Sequence, residues 1–431
     1  MKIFGRDQHA PKRHTGGTHR TCTPAETLAR VRPLMPLMGI TRLANITGLD
    51  RIGLPVFVAI RPNSRILATS QGKGETIDAA KASALMESIE SWHGERVEGR
   101  IRIDSYESLM TRGFRVAEVM RLPPFSHQPI PLDRPFEWIE GEDLISGQAC
   151  LVPFDAISTN YVECPGRRPV CLNTANGLAS GNHLLEAIVH GLCEVIERDA
   201  ITLWSLSGAA DRKATQIDPA TITSPLIRER LDAMARAGIR SALWNLTTDL
   251  GIPVFGCTVV EDPSAASWRP VPEFTGYGCH LDSTVALSRA VHEAIQCRTT
   301  LISGSRDDLF EDQYERGISR EAHRLAIESM KSPPPTAVFP SLDLTTASST
   351  LEGDLAFMLS RLKELGISQV IAVDLTRTEI GVSVVKIVVP GLEPYDARSR
   401  HRWFGERARS LLASGRAPSP SDVRSPSGAA A

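Results

Sequence analysis

The stretch DAAKASALMESIESWHGE, residues 78–95, decides the fold because its pattern returns twice further along the chain. The second copy is LEAIVHGLCEVIERDA, residues 185–200, and the third is VALSRAVHEAIQCR, residues 285–298. Each stretch is long enough for a helix, and a helix turns by about 100° per residue. Each predicted helix therefore carries one narrow polar stripe among apolar or small side chains that are typical of a protein core.

The polar stripes share acidic and amide side chains at helical spacing. They consist of Ser83, Glu87 and Glu90, then Glu186, Glu194 and Glu197, and finally Arg289, Glu293 and Gln296. Two carboxylates three residues apart point to the same side of a helix. A buried carboxylate stays charged only when a cation meets it, and Mg²⁺ takes carboxylate and phosphate oxygens as ligands. We therefore predict Mg²⁺ around a triphosphate; the alternative is a solvated helix face, where such acids are common.

The order of elements around the stripes predicts an α/β (α+β) fold of internally repeated sheet-and-helix layers. Strands are expected at 54–60 and 66–70, followed by Gly72-Lys73-Gly74, which we interpret as a tight turn before the first acidic helix. A loop rich in Gly and Asn at 173–182 precedes the second acidic helix. Near the start, Thr23 and Pro24 predict the N-terminus of a helix over 24–38. The repeats lie about a hundred residues apart, which is too far for a solenoid.

Length and charge narrow the class of protein. A chain of 431 residues can bury a large core, and a net charge of −2 argues against nucleic-acid binding through bulk charge. Neither a long apolar run nor an apolar secretory signal is evident, so we expect no membrane span and a cytoplasmic location. We divide the chain into a flexible basic tail (1–19), a main domain (20–400) that carries the three polar stripes, and a C-terminal helix with a disordered Ala/Ser/Pro-rich tail (401–431).

The ordered motifs resemble those of the YcaO family. The resemblance rests on residues 72–90, 176–198 and 286–308, in this order, and extends over residues 20–395. It implies a YcaO-type fold with an ATP site between repeated layers, and a homodimer. It further implies that ATP and Mg²⁺ are used to activate a backbone amide by O-phosphorylation, after a nucleophile has attacked that amide.

The resemblance also carries site residues onto this sequence. The Mg²⁺-binding acids of the family fall on Glu87, Glu90, Glu186, Glu194 and Glu197. Its nucleotide contacts fall on Arg20, Thr27, Ser83, Asn182, Arg198, Gln296 and Arg306. No Ser-His-Asp or Cys-His arrangement can be defended from the residues themselves, so the catalytic side chain is left unassigned.

The nucleophile divides the family into branches. The stretch GITRLANITGLDRIGLP, residues 39–55, and the pair Trp92-His93 look like the TfuA-associated branch, which forms thioamides with a sulfide source. We therefore expect thioamidation together with a TfuA-like partner protein. The substrate would be a precursor peptide or a housekeeping protein such as a ribosomal protein. Two alternatives remain open, an azoline-forming cyclodehydratase acting on Cys, Ser or Thr, and a non-catalytic ATP-binding scaffold.

Overall fold

The computed structural model of the chain describes residues 1–126, 128–162, 168–339, 346–394 and 403–414. The strands are β1 (Lys2–Ile3), β2 (Arg6–Asp7), β3 (Arg42–Asn45), β4 (Val56–Ile60), β5 (Thr69–Lys73), β6 (Arg102–Asp104), β7 (Phe136–Asp143), β8 (Gln148–Pro153), β9 (Leu178–Gly181), β10 (Gln216–Ile217), β11 (Ile239–Asn245), β12 (Val254–Glu261), β13 (Phe274–Cys279), β14 (Ile371–Asp374) and β15 (Ser383–Val388). The α-helices are α1 (Pro24–Val31), α2 (Ile77–Gly94), α3 (Tyr106–Thr111), α4 (Leu184–Leu206), α5 (Ala209–Ala214), α6 (Pro225–Arg236), α7 (Ser283–Ser303), α8 (Glu311–Glu315), α9 (Arg320–Lys331), α10 (Leu351–Glu364) and α11 (Glu406–Ala413).

The described strands form four sheets. One has three strands in the order β3-β4-β5, and one has four in the order β10-β11-β12-β13. The largest has six strands in the order β6-β7-β14-β15-β9, with β8 paired to β7. A short β1-β2 hairpin completes the set. Sheets and helices are mixed along the chain, which confirms the predicted α/β (α+β) class.

Each acidic stripe lies on a long helix that follows a strand. Helix α2 packs on β4 and β5, α4 on β9 and β15, and α7 on β12 and β13. A side-chain cap holds the start of each helix, because Thr76 accepts from Ala79 N at 3.1 Å and Asp282 accepts from Thr284 N at 2.8 Å. His183 caps α4 in the same way. The same strand–helix unit is thus built three times.

Glycines let strand and helix approach closely in two of the repeats. A Cβ placed on Gly72 would lie 2.1 Å from Ala84 N, and one on Gly276 would lie 2.1 Å from Ala294 N. Only a residue without a side chain fits at such a distance. Because Gly72 lies in β5 and packs against α2, our interpretation of Gly72-Lys73-Gly74 as a tight turn is wrong for its first two residues.

The predicted helix over 24–38 divides into two parts. Thr23 forms the capping box with Glu26, as the N-terminal signal indicates, and α1 begins at Pro24. The chain then continues as a 3-10 helix over Arg32–Met38 that contains Pro36. A proline inside an α-helix removes a hydrogen bond and clashes with the preceding turn, which explains why the α-helical geometry does not continue to residue 38.

The expectation of a flexible tail over residues 1–19 is wrong. Ile3 and Ala10 are only 1% and 2% exposed and belong to the core cluster that surrounds α4 and α10. Lys12 Nζ lies 2.6 Å from Asp354 Oδ2, and both side chains are buried. The basic composition of this segment pointed to solvation, but two apolar anchors and a buried ion pair hold it on the domain.

The C-terminal part is described only in pieces. Helix α11 lies within the predicted C-terminal helical region and is tied to α4 by Arg407, whose Nε lies 3.1 Å from Asp199 Oδ1. The predicted disordered tail from residue 415 and the domain boundary near residue 400 lie outside the described residues. None of the described helices has the length and apolar composition that a bilayer span requires.

Candidate active site

A backbone N–H of the strand segment donates to a carboxylate of the following helix in all three repeats. Gln71 N donates to Glu87 Oε1 at 3.0 Å, and Gly177 N donates to Glu194 Oε2 at 3.3 Å. Tyr277 N donates to Glu293 Oε2 at 3.1 Å. Each donor precedes its acceptor by 16 or 17 residues. The shared contact makes these three glutamates equivalent positions of one repeated unit.

The residue three positions further along each helix also belongs to the repeat. Glu90, Glu197 and Gln296 occupy this position. Glu90 Oε1 accepts from both the N–H and the hydroxyl of Ser180, each at 2.8 Å. Because Ser180 lies on β9, this carboxylate joins the first repeat to the second.

Burial and mutual repulsion raise the pKa values of these carboxyl groups. Burial, together with weaker repulsion from Glu87 and Glu194, raises the pKa of Glu90 to about 8. The pKa of Glu87 is raised to about 7, again chiefly by burial. Burial followed by repulsion from Glu293 raises the pKa of Glu197 to about 7. The side chains of Glu87 and Glu90 are half-buried, yet protein atoms enclose their carboxyl groups. The structure thus brings acids of all three repeats into one electrostatic cluster.

Glu186 has hydrogen-bond partners of its own. Its Oε1 accepts from Asn182 N and Nδ2, each at 3.1 Å, and its Oε2 accepts from Thr21 N and Oγ1, each at 2.9 Å. Arg20 Nε is 3.7 Å from the same carboxylate, and Thr27 Oγ1 donates to Asn182 Oδ1 at 3.1 Å. Glu186 is therefore tied to three predicted nucleotide contacts, and Arg20 links it to the acidic cluster because its charge also interacts with Glu90.

Two predicted arginines lie near the acidic cluster. Arg198 Nη2 is 3.7 Å from Glu194 Oε1. Arg306 donates twice to Asp308 at 2.7 Å, and its charge also acts on the carboxyl group of Glu87. Both guanidinium groups are buried, at 8% and 6% exposure. Positive charge is therefore fixed beside the carboxylates of the first two repeats.

The remaining predicted contacts lie on the polar stripes of α2 and α7. Ser83 lies one turn before Glu87 on α2, and Gln296 lies three residues after Glu293 on α7. Both are half-buried.

Two functional candidates were missed at the sequence level. Lys386 lies on β15, is 2% exposed, and donates through Nζ to Thr174 O. Burial lowers the pKa of Lys386 to about 8, although nearby Glu194 acts in the opposite direction. The available signal was a single lysine within the apolar run SVVKIVV. Glu293 was placed on a stripe but left out of the metal set, and its contact with Tyr277 makes it the third equivalent carboxylate.

The donor set fits Mg²⁺ with a nucleotide. Carboxylate oxygens are ligands that Mg²⁺ prefers, and the ion usually takes only one or two of them beside phosphates and water. In the described part of the chain, no three His, Cys, Asp or Glu side chains are close enough to chelate a metal by themselves. Asn173 Oδ1 and Asn176 Oδ1 are buried without a hydrogen-bond partner there. A cation with phosphate and water ligands would offset the burial and the repulsion that raise the carboxyl pKa values. The individual ligand assignments stay predictions.

Comparison with known proteins assigns the family. A family model described as YcaO cyclodehydratase, ATP- and Mg²⁺-binding, matches residues 71–393. An uncharacterized protein in the tfuA 3′ region of Rhizobium leguminosarum bv. trifolii is 34% identical over 398 residues, or 91% of this chain and 93% of that protein.

Two solved structures share the fold. A heterocyclase in complex with substrate and cofactor superposes with a TM-score of 0.76 at 23% identity, over 95% of this chain and 56% of that one. The structure of YcaO from Methanopyrus kandleri bound with AMPPCP and Mg²⁺ superposes with a TM-score of 0.71 at 22% identity, over 96% and 99%.

The repeated fold and its acidic centre define an ATP-dependent enzyme of the amide-activating class. The chain belongs to the YcaO family, because the family model covers most of it and the Rhizobium relative matches over nearly its full length. ATP and Mg²⁺ are the ligands by which this family is described, which confirms the cofactors predicted from the sequence.

The raised carboxyl pKa values predict a pH-dependent stability. The pKa values of Glu87, Glu90 and Glu197 rise to about 7, 8 and 7 in the folded protein, from an ordinary glutamate pKa of 4.5. Between these values the folded protein keeps protons that the unfolded chain has already released. The contribution of these three groups is fully present below the ordinary glutamate pKa and is lost as pH rises through about 7 to 8. We expect the thermal midpoint of metal-free protein to fall over this range, and Mg²⁺ with AMPPCP to restore it.

Differential scanning fluorimetry across pH measures this effect. A double variant, Glu87→Gln with Glu90→Gln, serves as the reference because it removes two of the titrating groups and keeps their size. Its midpoint should fall less steeply than that of the parent protein. Parallel curves for the two proteins would contradict the assignment of the effect to these carboxylates.

Proposed function

We propose that this protein replaces the oxygen of a peptide backbone amide by sulfur, with a TfuA-like protein as its partner and a sulfide donor as nucleophile source. One observation carries the proposal: carboxylates of three repeated helices form a single cluster with raised pKa values. Such a cluster suits an ATP-dependent reaction at a charged centre, and it has no evident purpose in a purely structural core.

The net reaction balances without a protein nucleophile. Hydrosulfide adds to the amide carbon, the carbonyl oxygen leaves as phosphate, and the carbon–sulfur double bond remains, so ATP is converted to ADP. When bound, ATP supplies the phosphoryl group that makes this oxygen a leaving group, and Mg²⁺ neutralises the charge on the phosphoryl oxygens. This agrees with the absence of a defensible catalytic triad in the sequence.

The residues of the chain have separate tasks in this proposal. Glu87, Glu90, Glu194 and Glu197 would bind and orient Mg²⁺ through their oxygens. Arg198 and Arg306 would donate charge-assisted hydrogen bonds to phosphate oxygens. Glu194 lies 3.7 Å from Arg198, and two hydrogen bonds to Asp308 orient the guanidinium group of Arg306 before any ligand binds.

A second network would hold the other end of the nucleotide. The side chains of Arg20, Thr27, Asn182 and Glu186 are joined by hydrogen bonds or close charges at the start of α4. These contacts link the segment before α1 to the second repeat. We propose that this network binds the nucleoside part, while the acidic cluster binds the phosphates and metal.

The choice of sulfur rests on a genetic neighbour of a relative. The Rhizobium leguminosarum relative is found in the tfuA 3′ region, which supports a TfuA-like partner for this chain. The heterocyclase among the solved structures favours the second candidate, in which a Cys, Ser or Thr side chain of the substrate attacks its own backbone. We also propose that the protein is cytoplasmic and acts as a homodimer. Light scattering would test the dimer.

Reconstitution with mass spectrometry distinguishes the two reactions. We expect purified protein, a TfuA-like partner, sulfide and Mg-ATP to add about 16 Da to a substrate peptide or ribosomal protein, since sulfur replaces oxygen in this metal-assisted chemistry. Loss of about 18 Da at Cys, Ser or Thr would show azoline formation instead. With ¹⁸O in the target amide, the label should appear in phosphate. No ATP-dependent mass change with any cognate partner would favour a non-catalytic scaffold.

A further inference from the structure

An open groove lies on the outer side of the helices that carry the site. It has a volume of about 750 Å³ and is formed by α1, the following 3-10 helix, strand β3 and the N-terminal part of α2. Its apolar floor includes Leu28, Met35 and Leu43. None of the predicted site residues lines it, so the groove is distinct from the acidic cluster and the nucleoside network.

One wall of the groove is the edge of a sheet. Strand β3 is an outer strand of the sheet β3-β4-β5 and pairs only with β4 among the described residues. Ile46 N donates to Val56 O at 3.1 Å, and antiparallel pairing alternates along a strand. The backbone of Leu43 therefore faces away from β4, toward the position that an added strand would occupy. Such an edge is a template for an extended peptide.

The groove is positively charged within a nearly neutral protein. Arg32, Arg42 and Lys81 line it, against a single acid, Asp78. Residues 27–49 contain three arginines and no Asp or Glu, although the whole chain has a net charge of −2. The complementary ligand is an extended peptide that combines acidic side chains with apolar ones for the floor.

We propose that this groove binds an acidic, extended segment of the peptide substrate, which adds to β3 as a further strand. The inference rests on the proposed function in one respect, namely that the substrate is a peptide. A second copy of the chain fits less well, because a symmetric contact would place Arg32 and Arg42 of two copies near each other.

The groove is joined to the site through single helices. Helix α1 contributes Leu28 to the groove, while Thr27 and Arg30 donate to Asn182 Oδ1 at 3.1 and 3.0 Å. Helix α2 contributes Lys81 to the groove and Glu87 to the acidic cluster. A substrate anchored in the groove would therefore lie beside the elements that form the site, so that the rest of the peptide can reach the centre.

Direct binding tests this inference without catalysis. The probe is a short fluorescein-labelled peptide of alternating Glu and Val, and a peptide of alternating Lys and Val is its control. We expect fluorescence anisotropy to show binding of the acidic probe only, weaker at high salt. The charge reversal Arg42→Glu with Lys81→Glu should weaken it at least about tenfold, the loss of roughly 1.4 kcal/mol. Lys363→Glu, an exposed reversal on α10, should leave it unchanged.

Backbone pairing has its own test. Leu43→Pro removes the outward N–H and is tolerated at a sheet edge, and Leu43→Ala controls for the lost side chain. Weaker probe binding by the proline variant than by the alanine variant supports strand addition. Equal binding of the acidic and basic probes, or unchanged binding by the reversal variant, would overturn the proposal. A reversal that dissociates a dimer but leaves probe binding intact would assign the groove to a second copy and also overturn it.

Turnover separates this inference from the proposed function. The charge reversal should raise KM for the peptide and leave KM for ATP unchanged. If peptides gain sulfur with the same KM in the parent protein and in the reversal variant, the groove inference is wrong and the proposed thioamidation stands. If the probe binds in the groove but no peptide gains sulfur, the groove inference is supported and the proposed thioamidation fails.

Discussion

The variant Glu197→Gln is expected to lower ATP-dependent turnover by about 10²- to 10³-fold, since a metal ligand of this kind is worth several kcal/mol of transition-state stabilisation. Glutamine keeps the size of the side chain but removes the charge that would meet Mg²⁺. Glu197 is only 5% exposed and is repelled by Glu293. At pH values above neutral, the metal-free variant should therefore also have a higher thermal midpoint than the metal-free parent protein.

Turnover should fall while the thermal midpoint rises. A residue that only supports the fold would lower both, so the two measurements distinguish a metal ligand from a structural residue. Calorimetry should show weaker binding of Mg²⁺ with AMPPCP, and fluorimetry should show an intact or more stable fold. Glu328→Gln, an exposed change on α9, is the matched control and should alter neither. Unchanged nucleotide affinity and turnover in Glu87→Gln, Glu90→Gln, Glu194→Gln and Glu197→Gln alike would refute the assigned metal ligands.

The variant Arg298→Met is expected to reduce the free energy of unfolding by about 3–5 kcal/mol, the cost of removing one partner from a buried ion pair. Arg298 is 1% exposed, and its guanidinium donates to Asp50 Oδ2 at 2.9 Å and to Glu261 Oε1 at 2.5 Å. Both carboxylates are buried, at 2% and 0% side-chain exposure. Methionine fills similar space but carries no charge, so the buried carboxylates of Asp50 and Glu261 lose the guanidinium group that pairs with them.

Urea unfolding followed by circular dichroism measures this loss. Arg316→Met provides the control, because Arg316 and Asp312 form an ion pair that is 66% and 65% exposed, and exposed pairs contribute only about 0–1 kcal/mol. Because α7 also carries Glu293 and Gln296, the destabilised variant should lose nucleotide affinity as well. Equal unfolding free energies for the two variants would show that Arg51, which also contacts Glu261, compensates fully.

The three acidic helices could be predicted from the sequence, because a helical stripe depends on residues three and four positions apart. The same is true of the helix start at Thr23 and Pro24. Lys386 could not be assigned in this way. Its strand is indicated by a local apolar run, but its proximity to Glu194 depends on how β15 pairs with β9.

Local patterns also misjudged two segments. Residues 1–19 have the composition of a solvated tail, yet Ile3 and Ala10 find apolar partners on α4 and α10, elements that begin more than a hundred residues later. Glycine is typical of turns, yet Gly72 lies in a strand, where a glycine is required because α2 approaches it closely. Neither outcome is encoded within a window of neighbouring residues.

The sequence by itself determined the class of fold, the number of strand–helix repeats and the polar stripe of each helix, since all of these follow from short-range periodicity. The tertiary structure decided how the stripes are combined. It placed Glu197 beside Glu293, joined Glu90 to the second repeat, and tied Glu186 to Asn182. These outcomes depend on the packing of three helices on three sheets, because the distance between two side chains on different elements is set by contacts that no local pattern contains.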